Sequence, residues 1–120
     1  MAQAPISQKY DLEERTARFG ENILAFCQQL PRDHIMIPLV NQLVKAATSV
    51  GANYCEADNA ESKRDFKHKI GICRKESREA KHFLRMIAMV QPEQSETLSM
   101  LRQEATELNL IFNSIYRKIT

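Results

Sequence analysis

SKRDFKHKIGICRKESREAKHFLRMIAMV, Ser62 to Val90, is the stretch whose reading decides the fold. Phe66, Ile70, Cys73, Ser77, Ala80, Leu84 and Ile87 recur at alternating spacings of four and three. At about 100° per residue, that spacing holds them on one face of a helix and makes them a core seam. Lys63, Lys67, Arg74, Arg78, Lys81 and Arg85 project along one flank of the seam, with Arg64 and Lys75 further round. Glu61, Asp65, Glu76 and Glu79 take the other flank, and Lys69 alone crosses to it. An ordinary solvated helix mixes its signs to gain i,i+4 pairs, so this segregation reads as a surface for a partner or for assembly.

Outward from this segment the same period recurs. A helix from about Tyr10 to Gln29 carries the seam Leu12, Thr16, Phe19, Ile23, Phe26 and Leu30. Gly20 within it costs about 1 kcal/mol relative to alanine, which suggests close approach of another backbone. Pro31 and Asp33 mark a turn, with Asp33 as N-cap of the next helix and Pro38 in its first turn. That second helix buries Met36, Val40, Leu43, Ala47, Val50 and Tyr54. Asp58-Asn59-Ala60-Glu61 signals the break before Ser62, with Asp58 as cap and Glu61 reaching back to it. Pro92 ends the third helix and opens a fourth, whose seam is Leu98, Leu101, Ala105, Leu108, Phe112, Ile115 and Ile119. Four such segments with short connections predict an all-α, antiparallel up-down-up-down four-helix bundle over residues 10–120, preceded by a flexible N-terminus, 1–9.

Composition agrees. The chain has 120 residues and 43% hydrophobic content, enough to bury one core without a disulfide or structural metal. Only three glycines are present, which speaks against a fold rich in tight functional loops. Residues 61–91 hold nine lysines and arginines against four acids, so this segment carries +5 while the remainder carries −3. Such a local excess attracts phosphate backbones, acidic protein faces or anionic lipid. Cys27, Cys55 and Cys73 lie in three separate helices without CxxC spacing, as expected of free, structural thiols in a cytoplasmic protein. No leader pattern and no apolar run of membrane-spanning length is apparent.

Catalytic and metal readings are weak. A di-iron bundle needs Glu-x-x-His on two helices and glutamates from the others. Here Glu79 to His82 and its weaker imitation, Asp65 to His68, share one helix and point away from its seam. No zinc pattern, nucleophile elbow or phosphate-binding glycine loop accompanies His34, His68 and His82. The expectation is a protein that is not an enzyme and needs neither metal nor cofactor.

The second helix carries an unusual polar face, Gln42, Lys45, Ser49, Asn53 and Glu56, interleaved with Ala46 and Ala52. Serine and asparagine are poor choices on a merely exposed helix, which suggests a subunit interface. Lys45, Ser49, Asn53, Glu56, Asp65 and Glu76 are its candidate residues. Complementary acidic and basic flanks on one helix favour head-to-tail contact between copies, which gives a ring where the rotation closes.

The run Ala47-Thr48-Ser49-Val50-Gly51-Ala52-Asn53-Tyr54-Cys55-Glu56-Ala57, followed by Ser62, Asp65-Phe66, Lys69, Lys75-Glu76, Glu79 and Phe83-Leu84, resembles the bacterial 23S ribosomal RNA intervening-sequence proteins. Both the Ser-x-x-Ala-Asn and Lys-Glu-x-x-Glu patterns are present. Lys45 stands where the family usually has arginine, and Phe83 where tryptophan is common. The resemblance implies an antiparallel bundle and a ring-forming homopentamer. It also implies kinship with accessory subunits of diversity-generating retroelements, which bind RNA and a reverse transcriptase. Two functions follow as expectations: association with structured RNA through Lys63, Lys67, Arg74, Arg78, Lys81 and Arg85, or service as a scaffold for a partner protein. RNA contacts are expected on phosphates alone, because the aromatics are assigned mainly to core seams.

Overall fold

The computed structural model describes residues 11–119; the expected flexible N-terminus, 1–9, lies outside the described residues. Four α-helices follow in order: α1 (Leu12–Cys27), α2 (Met36–Asp58), α3 (Lys63–Val90) and, after a 3-10 turn over Pro92–Gln94, α4 (Ser95–Lys118). Each packs most closely against its neighbour in sequence, as short connections between reversing helices require. Contacts confirm the alternation. Thr16 lies against Gly51 while Gly20 lies against Ala47 and Thr48, and Lys67 meets Tyr116 while Ser77 meets Asn109.

The seams form the core, with Val40, Tyr54, Phe66, Ile115 and Ile119 only partly buried against it. Every expected seam residue of α1 is buried, as are Ile70, Cys73, Ser77, Ala80, Leu84 and Ile87 of α3. Leu30 is buried too, although α1 ends at Cys27 and Leu30 reaches the core from the turn. Tyr54 of α2 and Phe112 of α4 meet across the core with ring centroids 6.1 Å apart. Ala46, assigned above to the polar face of α2, is 1% exposed. The buried stripe of α2 is wider than its large residues suggest, because small side chains admit the neighbouring helices.

The helix ends differ in detail from expectation. The N-cap position of α2 falls at Ile35 rather than Asp33, but the Asp33 carboxylate still serves the helix start, accepting from the backbone N–H groups of Ile35 (3.1 Å) and Met36 (2.8 Å). Asp58 caps nothing: it is the last residue of α2, and Ser62 is the N-cap of α3, its hydroxyl accepting from the Asp65 N–H at 3.0 Å. Ser62 has the extended backbone that an N-cap needs, and its short side chain reaches the first turn directly. Pro92 opens the 3-10 turn rather than the α-helix itself. At Gly20 an added Cβ would sit 3.8 Å from the Ala47 carbonyl oxygen and Thr48 Cα, so α1 and α2 approach closely but leave room for a methyl group.

α1 and α4 meet more sparsely than the other neighbours. Arg15 spans this gap. Its Nε and Nη2 donate to the two carboxylate oxygens of Glu104 at 2.7 and 2.8 Å, and Nη2 also donates to Glu107 at 2.8 Å. This fork raises the Arg15 pKa further above its ordinary range, chiefly through the Glu104 hydrogen bond.

Candidate nucleic-acid interface

Between α3 and α4 runs a groove of about 700 Å³. From α3, Arg64, Lys67, His68, Arg74, Lys75 and Arg78 face it; from α4 come Asn109, Asn113 and Tyr116. No aspartate or glutamate lines it. The acids of α4 that could have neutralised it, Glu104 and Glu107, are engaged by Arg15 on the other side of that helix. Among the described residues, none of the six expected basic residues has a carboxylate within salt-bridge distance. A concave surface with one sign of charge concentrates its field on an incoming anion.

Tyr116 organises the cations. The Arg74 guanidinium lies 4.0 Å from the centre of its ring, and the Lys67 ammonium lies 4.9 Å away. Such contacts contribute roughly 0.5–2 kcal/mol and restrict side chains that would otherwise sample many rotamers. Gly71 admits the ring between the helices, since an added Cβ there would be 3.2 Å from Tyr116 Cε2. Beside it, Asn109 donates to the Arg74 carbonyl (2.8 Å) and Ser77 hydroxyl (3.1 Å) and accepts from the Asn113 amide (3.2 Å). The buried Ser77 on the α3 seam is thereby satisfied, its own hydroxyl donating to the Arg74 carbonyl at 3.1 Å.

The expected basic flank is divided by this geometry. Lys67, Arg74 and Arg78 line the groove and are joined by Arg64 and Lys75. Lys63, Lys81 and Arg85 lie outside its lining, and Lys63 and Arg85 are exposed. Tyr116, outside the expected α4 seam, packs half-buried against the core and also borders the basic surface. Its signal in the sequence is the stripe Asn109, Asn113, Tyr116 at helical spacing beside the α4 seam, which becomes meaningful only once α3 is laid against it.

The candidate interface residues collect on the opposite side of α3, along its seam with α2. Lys69 donates to Glu56 at 2.5 Å, so the one base on the acidic flank is paired there. Asn53 turns its amide back to the Ser49 carbonyl at 2.9 Å. Burial raises the Glu76 pKa, with repulsion from Glu79 adding to it and Lys75 and Lys45 opposing. Lys45, Ser49, Asn53, Glu56, Asp65 and Glu76 therefore belong to one mixed-charge strip on α2 and α3. Among the described residues, no group of three or more His, Cys, Asp or Glu side chains is placed to hold a metal ion.

The family model for the 23S rRNA-intervening sequence protein matches residues 8–114. The chain belongs to that family. Among solved structures, it is similar to the crystal structure of a protein with unknown function from the S23 ribosomal protein family of Bacteroides thetaiotaomicron. The sequences are 25% identical, the TM-score is 0.80, and the match covers 88% of this chain and 98% of that one. No curated protein gave a match. No helix among the described residues is long and apolar enough to cross a membrane. The fold anticipated for an intervening-sequence protein is thus the one observed.

Proposed function

We propose that this intervening-sequence protein is a non-enzymatic, ring-forming oligomer of the cytoplasm that associates with structured RNA through the groove between α3 and α4. The observation that carries this reading is the groove itself: five lysines and arginines, no acid, and two of the cations held over Tyr116. Phosphate neutralisation by such a surface releases counterions and makes affinity fall steeply with salt. The test is a titration of nuclease-treated protein into labelled structured RNA at several salt concentrations, with Arg74→Ala and Arg78→Ala for comparison.

The proposed ring divides the labour along α3. In a head-to-tail ring, the strip containing Glu56, Asp65 and Glu76 meets Lys81 and Arg85 of the next copy, which leaves the groove open to RNA. A homopentamer agrees with the family resemblance.

A second reading, a scaffold for a partner protein such as a reverse transcriptase, is favoured by one specific observation. Leu24 and Ile37 are exposed beside an apolar cleft of about 430 Å³ between α1 and α2, which Cys27, Leu30, Val40 and Val44 also line. Clustered exposed apolar side chains mark protein contacts. Recovery of a specific partner that survives nuclease treatment favours this reading; recovery lost with nuclease favours RNA.

A further inference from the structure

The α3–α4 groove differs in kind across its width. α3 supplies cations, which suit phosphates, whereas α4 supplies two amides and a phenol ring, which phosphates do not require. A surface made only to hold the outside of an RNA duplex needs the first set alone, because paired bases hide their faces and present shape, phosphates and 2′-hydroxyls. Unpaired bases are recognised differently: they stack on aromatic rings or guanidinium planes and are met by hydrogen-bonding groups along their edges.

Arg74 is built for that second task. Tyr116 backs its guanidinium at 4.0 Å, and its backbone carbonyl is held by Asn109 and Ser77. The Tyr116 contact therefore restricts the guanidinium while the side chain still lines the groove. Asn113 donates to Asn109 and has no other hydrogen bond among the described residues, so its remaining N–H and its carbonyl oxygen are available at the groove wall.

We infer that the groove takes an unpaired segment of RNA, with one base stacked on the Arg74 guanidinium where Tyr116 supports it and the flanking phosphates held by Arg64, Lys67, Lys75 and Arg78. Asn113 meets the edge of that base or its ribose. This inference rests on the RNA reading above and refines it, since phosphate binding alone does not distinguish one strand from two.

Fluorescence anisotropy on the full chain tests it, with two labelled probes: an oligouridine of about 12 nucleotides and an RNA duplex of the same length. The native protein is expected to bind the single strand about tenfold more tightly than the duplex. Arg74→Lys keeps the charge and removes the planar face, so it should abolish most of that preference while leaving the salt dependence unchanged. Tyr116→Phe should retain the preference and Tyr116→Ala should lose it, with circular dichroism confirming that each variant is folded. Equal binding of both probes by the native protein, or an intact preference in Arg74→Lys, overturns the inference but leaves the phosphate-binding reading in place. Binding of neither probe at low salt overturns both.

Discussion

Gly71 and Tyr116 fit each other closely: a methyl group at position 71 would stand 3.2 Å from Cε2 of the tyrosine ring. The ring is half-buried at the edge of the groove, so it has room to move by the few tenths of an ångström that Gly71→Ala demands. Alanine is favoured over glycine in a helix interior by about 1 kcal/mol, which offsets the crowding. Gly71→Ala should therefore leave the thermal midpoint unchanged or slightly raised while weakening RNA binding severalfold, because the support beneath Arg74 shifts. Paired melting and RNA-binding curves check both halves.

The exchange of Asp58 for Ser62 as the α3 cap gives a second test. Ser62→Ala removes the acceptor for the Asp65 N–H and should cost about 1 kcal/mol in a denaturant titration. Asp58→Ala, in the last turn of α2 with no capping bond, should change stability by less than about 0.5 kcal/mol.

Arg15 fastens α1 to α4, which meet more sparsely than helices adjacent in sequence. The fork to Glu104 is bidentate but partly exposed, with side-chain exposures of 29% and 32%, so solvent screening limits its contribution. Arg15→Ala should destabilise the fold by about 1 kcal/mol. The Glu107 pKa is lowered in the folded state, first by the Gln103 hydrogen bond and then by Arg15. Its contribution is present above the ordinary carboxylate pKa and is lost as pH falls through the depressed folded value. Glu76 has the opposite sign: its pKa is raised, so the folded state binds the proton more readily and ionisation of Glu76 disfavours the fold as pH rises. Glu76→Gln should accordingly raise the thermal midpoint of the isolated chain at neutral pH, and the difference should vanish below the ordinary carboxylate pKa. Midpoints measured across pH for the native chain and both variants test these signs.

The thiols offer a direct reading of packing. Cys55 is exposed, whereas burial pushes Cys27 to about 11 and Cys73 to about 12. Cys73 also donates to the Val50 carbonyl at 3.5 Å. A thiol reagent at neutral pH should modify Cys55 first, Cys27 slowly and Cys73 only with unfolding, which peptide mass mapping over time resolves.

Much of this architecture is legible in the sequence, and the reason is local. Within a helix the spacing of Phe66, Ile70, Cys73, Ser77, Ala80, Leu84 and Ile87 sets an inward face by geometry alone, and all but the half-buried Phe66, near the start of the helix, are buried. Small residues were harder to read, because Ala46 serves equally on a close-packed face or an exposed one until its neighbour is placed. Pairings across distant segments were not legible. Nothing in the sequence joins Arg15 to Glu104, 89 positions away, or sets Tyr116 beneath Arg74. The basic flank was visible as a charge pattern, but its division into groove-lining and outlying residues depends on where α4 lies.

The most direct test of the RNA reading is the salt dependence of binding by the native protein and by Arg74→Ala/Arg78→Ala. Nuclease-treated protein is titrated into labelled RNA bearing an unpaired segment at several salt concentrations. With the four groove cations assigned to phosphates engaged, Arg64, Lys67, Lys75 and Arg78, log K should fall against log salt with a slope of roughly −3, at about −0.7 per phosphate for single strands, and the double substitution, which removes the Arg78 contact together with the Arg74 charge, should reduce the slope by about 0.7 to 1.4. Absence of binding at low salt, or a slope that the double substitution leaves unchanged, would contradict the assignment of the groove to RNA.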